Sequence, residues 1–162
     1  MLKINKNEST MEERMFNSDI VNGLKVARQQ LHDLLNNKEE KGKSWVEIKG
    51  KPYLKVATLF RVLRDNFAHS LVLKTKVVHD CEHRVVINAS LTKLDGGFLA
   101  SGIAERFKDP KSKNPQQSRA IECCQTAAWG RAIKNLFAVG YDIATSDEID
   151  QSITNNIAEE IV

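Results

Sequence analysis

The stretch from Asn114 to Tyr141, NPQQSRAIECCQTAAWGRAIKNLFAVGY, constrains the chain most, because it reads as one helix with both ends marked. Asn114 can cap it, and Pro115 suits the first helical position, where its missing N–H would have no partner anyway. Gln117 can complete a capping box from the third position, and Gly140 offers the left-handed conformation that stops a helix. At about 100° per residue, Ile121, Cys124, Ala128, Trp129, Ala132 and Leu136 gather on one side and predict a core-facing stripe. The other side collects Arg119, Cys123, Thr126, Ala127, Gly130 and Lys134, with Arg131 at its edge. Small residues framed by cations predict a flat positive face, suited to something broad and negative lying along it. The competing reading is an ordinary solvated face.

The rest of the chain agrees with a polyanion partner. The net charge is only +3, but it is segregated. Residues 1–40 carry 6 basic and 7 acidic side chains, residues 41–134 carry 18 and 8, and residues 135–162 carry 6 acids and no Lys or Arg. A middle segment at +10 predicts a negative ligand, and a tail at −6 predicts a different role for the C-terminus. At 162 residues, the expectation is one domain with unstructured ends. No apolar run is long enough to span a bilayer, and residues 1–10 (MLKINKNEST) lack the apolar centre of a signal peptide. Three cysteines, two of them adjacent, form no disulfide framework. These features predict a cytoplasmic protein.

Taken in order, residues 10–37 show helical spacing through Met15, Ile20, Leu24, Ala27, Leu31 and Leu34/Leu35, with Ser18-Asp19 or Gly23 as possible interruptions. That helix either covers the domain or packs on a neighbouring subunit. Residues 36–44 form a charged connector. Trp45–Ile48 and Pro52–Lys55 flank Lys49-Gly50-Lys51 as a short hairpin, and Val56–Phe67 follows as a helix with Leu59, Phe60, Leu63 and Phe67 inward. Three alternating runs come next: Ser70–Val78, Arg84–Leu94, and Gly97–Phe107 after an Asp95-Gly96-Gly97 turn. Leu71, Leu73, Thr75 and Val77 share one face of the first, while Lys74 and Lys76 share the other. The fold class is therefore α+β: an antiparallel three-stranded β-meander covered by a long helix, with a preceding hairpin and helix, in β-β-α-β-β-β-α order. The organisation is an N-terminal helical segment over 1–40, a core domain over 41–142, and an acidic, extended tail over 143–162. Lys111 and Lys113, in the loop before the helix, predict a phosphate-holding corner with the helix N-terminus, against the reading of a solvated connector.

Several motifs could carry other chemistry. His79-x-Cys81-x-His83 has ligand types for zinc, but it falls between two strand runs and reads better as a hairpin turn. Glu47-Ile48-Lys49 has the E-x-K form of metal-dependent nucleases, in which carboxylates hold magnesium and a lysine assists water. The only nearby upstream aspartate, Asp33, sits in a predicted helix. Cys123-Cys124 reads as small packing residues. No phosphate-binding Gly-rich loop or catalytic-serine motif is present. Beside an unspecified polyanion partner, two readings stand: a nuclease using Glu47 and Lys49, and a double-stranded nucleic-acid binder whose meander and helix read shape.

Ile48, Gly50 and Tyr53 give an I-x-G-x-x-Y hairpin. Asp95-Gly96 and Gly102 follow in the meander, and Thr126, Gly130, Arg131, Ala132, Ile133 and Lys134 give T-x-x-x-G-R-A-I-K on the long helix. Over roughly residues 43–142 this order resembles the core of the Rad fifty-two-like single-strand annealing proteins, phage-type recombination annealases among them. The resemblance implies an oligomeric ring with single-stranded DNA in a groove around its rim. The activity it implies is ATP-independent annealing of complementary strands in recombination and repair, with no enzyme chemistry, no cofactor and no metal. Arg131 and Lys134 match basic helix positions of that family, and Lys43 falls near another basic region. Charge and position, rather than the resemblance, point to Lys74, Lys76, Lys111, Lys113 and Arg119 as further DNA contacts. Gly130 departs from relatives that carry a further cation there. Annealing requires neutralised strand repulsion and free base edges, so cations serve it better than the aromatic platforms that this chain, at 6% aromatic, lacks. The acidic tail, ending Ala-Glu-Glu-Ile-Val, could dock a replication or recombination partner, compete with DNA for the groove, or simply solubilise the chain.

Overall fold

The computed structural model describes residues 11–67, 69–140, 142–144 and 149. The expected disorder of residues 1–10 and the tail beyond Ala144 lie outside the described residues, Ile149 aside.

Helix α1 runs over Met11–Asn36 without a break, and a single 3-10 turn at Lys38–Glu40 follows it. Gly23 does not interrupt α1. It gives room to the Phe67 ring, which a Cβ there would approach to 2.6 Å. Strands β1 (Trp45–Ile48) and β2 (Lys51–Lys55) form the hairpin, with Lys49 and Gly50 both at positive φ (51° and 75°), as a two-residue turn of right-handed twist requires. Helix α2 is Val56–Phe67, the range the spacing predicts. The meander is β3 (Leu71–Asp80), β4 (Arg84–Lys93) and β5 (Phe98–Phe107), paired antiparallel in the order β3-β4-β5.

The long helix differs from its expected form at both ends. A short helix α3 (Pro115–Ser118) is separated at Arg119 from α4 (Ala120–Phe137). Asn114 does start the run, its carbonyl accepting from the Gln117 and Ser118 amides at 3.0 and 3.1 Å. At the other end the left-handed residue is Ala138 (φ 50°, ψ 40°), not Gly140. The tail also begins later than expected. Asp142–Ala144 form β6, parallel to β2 and giving that sheet the order β1-β2-β6. Ala144 is 2% exposed, so residues 143–144 belong to the core.

The core lies between the meander and the helices. Val85, Ile87, Ala89 and Leu91 of β4 point at Cys124, Ala128 and Ala132 of α4, all nearly or fully buried. Close approach needs Gly102 on β5, where a Cβ would overlap the backbone of Ala128 and Ala132. On its other side α4 meets α2 and β6, and α1 covers α2 through Ile20, Ala27 and Leu31. Arg28 of α1 donates from Nε to the Phe137 carbonyl at 2.6 Å, satisfying one of the unpaired carbonyls at the C-terminus of α4. The first helix thus packs on its own domain.

Candidate nucleic-acid interface

The flat cationic face expected on the long helix is not open. Cys123 and Ala127 are each 3% exposed and Gly130 is buried, because this side of α4 is where α2 and β6 pack. A Cβ at Gly130 would come within 2.7 Å of Val56 and 3.0 Å of Ile143. Small residues here serve close packing between elements rather than a ligand. Ile121, placed on the core stripe by spacing, is 49% exposed instead, and Trp129 is only half-buried.

The cations of that face are engaged and dispersed. Lys134 Nζ lies 3.6 Å from an Asp142 carboxylate oxygen and is only 26% exposed. Arg119 lies 4.0 Å from Glu122. Arg131 donates from its guanidinium to the Ile103 carbonyl at 2.5 Å, on the free edge of β5. Arg119 and Arg131 stand roughly 18 Å apart along the axis, at 1.5 Å per residue. Lys111 and Lys113 are exposed in the loop before α3, where the Lys111 amide donates to Asp109. Lys43 is exposed just before β1. Of these six positions, Arg119 alone lines the cavity at the start of α4, beside Lys108, Pro110 and Gln117.

Lys74 and Lys76 do share a surface, and it is an open one. Helix α4 packs against the side of the meander that carries Val85, Ile87 and Ala89; the other side has no element laid across it among the described residues. On that side Lys74, Ser90 and Ser101 make one cross-strand row, and Lys76, Asn88 and Ile103 the next. Ile103 and Phe107 remain 56% and 65% exposed at its margin. Both lysines are exposed, and neither meets a carboxylate among the described residues. Arg84 stands on the same face but is paired with Glu105 at 3.1 Å. The face thus combines two free ammonium groups with short polar side chains that leave room above them.

The remaining motifs find structural roles. Cys81, Glu82 and His83 form the exposed turn between β3 and β4, and among the described residues no three His, Cys, Asp or Glu side chains are grouped to hold a metal ion. Glu47 is bound by Lys41 at 3.0 Å, and Lys49 occupies the hairpin turn. Cys124 faces the sheet backbone, its sulfur 3.2 Å from the Ala104 carbonyl, and burial pushes the thiol above its ordinary value of 9.0, with the Ile87 backbone hydrogen bond opposing. It is a packing residue. Among the described residues no helix is long and apolar enough to cross a membrane.

Sequence reasoning missed Lys55, which lies with Phe60, Thr126 and Trp129 around a cavity between α2, α4 and β6. Its place at the end of a short strand gives no signal in sequence, because the partner strand β6 is only three residues long and carries no strand pattern of its own. No family model, curated protein or solved structure matches the chain.

Proposed function

We propose that the protein binds single-stranded DNA through the open face and β3 edge of the meander, and anneals complementary strands without nucleotide or metal. The observation that carries this reading is the pair Lys74 and Lys76, free of carboxylates on an uncovered sheet face beside Ser90, Ser101 and Asn88. Ammonium groups on such a surface neutralise phosphates, while the short neighbours leave bases free to meet a second strand. The charge of the middle segment and the resemblance to single-strand annealing proteins support the same function. The contact surface is moved from the long helix to the sheet, because α4 is packed on both sides. Working protein is an oligomer, with a ring as the expected form, acting in recombination in the cytoplasm. The acidic tail remains the candidate docking segment for a replication or recombination protein.

Mixing complementary fluorescent oligonucleotides with the protein should accelerate pairing severalfold with no ATP or magnesium present. Lys74→Ala with Lys76→Ala should remove most of that acceleration while leaving the circular dichroism unchanged. Pairing that proceeds as fast with the double variant as with the parent overturns the assignment of the face. Strands cut when magnesium is added would favour nuclease chemistry at Glu47 and Lys49 instead.

A further inference from the structure

We propose that the cavity between α2, α4 and β6 receives one base of the bound strand, so that each protomer holds the strand by a base as well as by phosphates. This rests on the single-strand reading above and names a second contact within it. The cavity measures about 280 Å³, and its walls include Lys55, Val56, Phe60, Thr126 and Trp129. Phe60 and Trp129 meet edge to face, with ring centroids 5.4 Å apart and planes at 79°. That corner offers a planar heteroaromatic one ring to stack on and a second to abut. The indole is already fixed, since Trp129 Nε1 donates to Thr75 Oγ1 at 2.8 Å, so little side-chain freedom is lost on binding. Thr126 spends its hydroxyl proton on the Glu122 carbonyl at 3.0 Å, which leaves its oxygen free to accept from a base N–H.

The cations place a polynucleotide there rather than a neutral apolar ligand. Thr75 sits between Lys74 and Lys76 on edge strand β3, so the residue that anchors Trp129 points to one side of the strand and the two lysines to the other. A backbone held by those lysines along the edge needs to cross only the thickness of one strand to bring a base to the indole. Lys55 also lines the cavity, donating to the Gly42 carbonyl and meeting no carboxylate among the described residues. An aliphatic side chain of a partner protein would have no use for a lysine in the cavity lining and two more on the neighbouring strand edge.

A labelled oligothymidylate and a strand of equal length made wholly of abasic sites carry the same phosphate charge. The parent protein should bind the abasic strand about tenfold more weakly, the loss of roughly one stacked base. Only the base-bearing strand should quench Trp129 emission, read as the difference between the parent and Trp129→Phe. Trp129→Leu should bind both strands with one affinity, and Phe60→Leu should narrow the gap between them; should either variant fail to fold, the comparison on the parent protein decides. Equal parental affinity for the two strands overturns the pocket but leaves phosphate binding at Lys74 and Lys76 standing. Failure to bind either strand overturns the single-strand reading and the pocket with it.

Discussion

Ala138 sets the end of the central helix at a backbone angle that alanine resists. Its φ of 50° brings the Cβ toward the following carbonyl, a cost of roughly 1 kcal/mol that glycine does not bear. Gly140, two residues later, looked the natural stop from sequence because only residue type is visible there. What decides the position instead is Phe137, fully buried against Phe67 and held at its carbonyl by Arg28, which fixes where the last turn must finish. Ala138→Gly should therefore stabilise the protein by no more than about 0.5 kcal/mol, the relief of strain being partly offset by the greater freedom of glycine in the unfolded chain. A urea midpoint that moves upward at unchanged slope is the expected reading; a midpoint that falls would mean the chain does not hold Ala138 in this conformation.

Helix α4 and strand β5 are locked together by more than apolar contact. The edge carbonyls of Ser101, Ile103 and Glu105 accept from Asn135 at 2.8 Å, Arg131 at 2.5 Å and Arg106 at 3.0 Å, so polar side chains close an edge that would otherwise template another strand. That leaves β3 as the open edge of the meander, and it is the one bearing Lys74 and Lys76. Gly102 makes the lock possible, and Gly102→Ala should cost about 3 kcal/mol or more, because its neighbours are backbone atoms of Ala128 and Ala132 that cannot swing aside. Gly130→Ala should cost less, since the closest groups are side chains of Val56 and Ile143 and alanine favours the helix. Paired denaturation curves of the two variants test that order. Much of this architecture was legible in sequence, since α2 and the meander strands announce themselves by apolar periods of 3.6 and 2. Strand β6 was not. It is three residues long, acidic at its start, and its partner β2 lies some ninety residues upstream, so no local pattern betrays it. The small face of α4 misled for a related reason: Cys123, Ala127 and Gly130 show that something comes close, but not whether that something is a ligand or the protein itself.

Across the whole molecule, the segregated charge matters more than its sum. The middle segment reaches +10, yet within the fold Lys41, Arg84, Lys108 and Lys134 are each matched to a carboxylate. Under the proposed single-strand function, pairing inside the domain removes those groups from the phosphates it could neutralise, so the charge left for a strand is smaller than composition implies. Lys74 and Lys76 are among the cations left over, on a face with room for a backbone. Each phosphate contact on a single strand contributes about −0.7 to the slope of log binding constant against log salt concentration. Removing both lysines should make that slope shallower by roughly 1.4, whereas Arg84→Ala with Glu105→Ala, which deletes an internally balanced pair from the same face, should leave it nearly unchanged. Titrations of a labelled single strand over a range of sodium chloride concentrations give both slopes directly. If the lysine variant keeps the parental slope, the strand runs elsewhere on the molecule; if the Arg84 and Glu105 variant flattens it as much, the ion pair opens on binding and Arg84 is itself a phosphate contact.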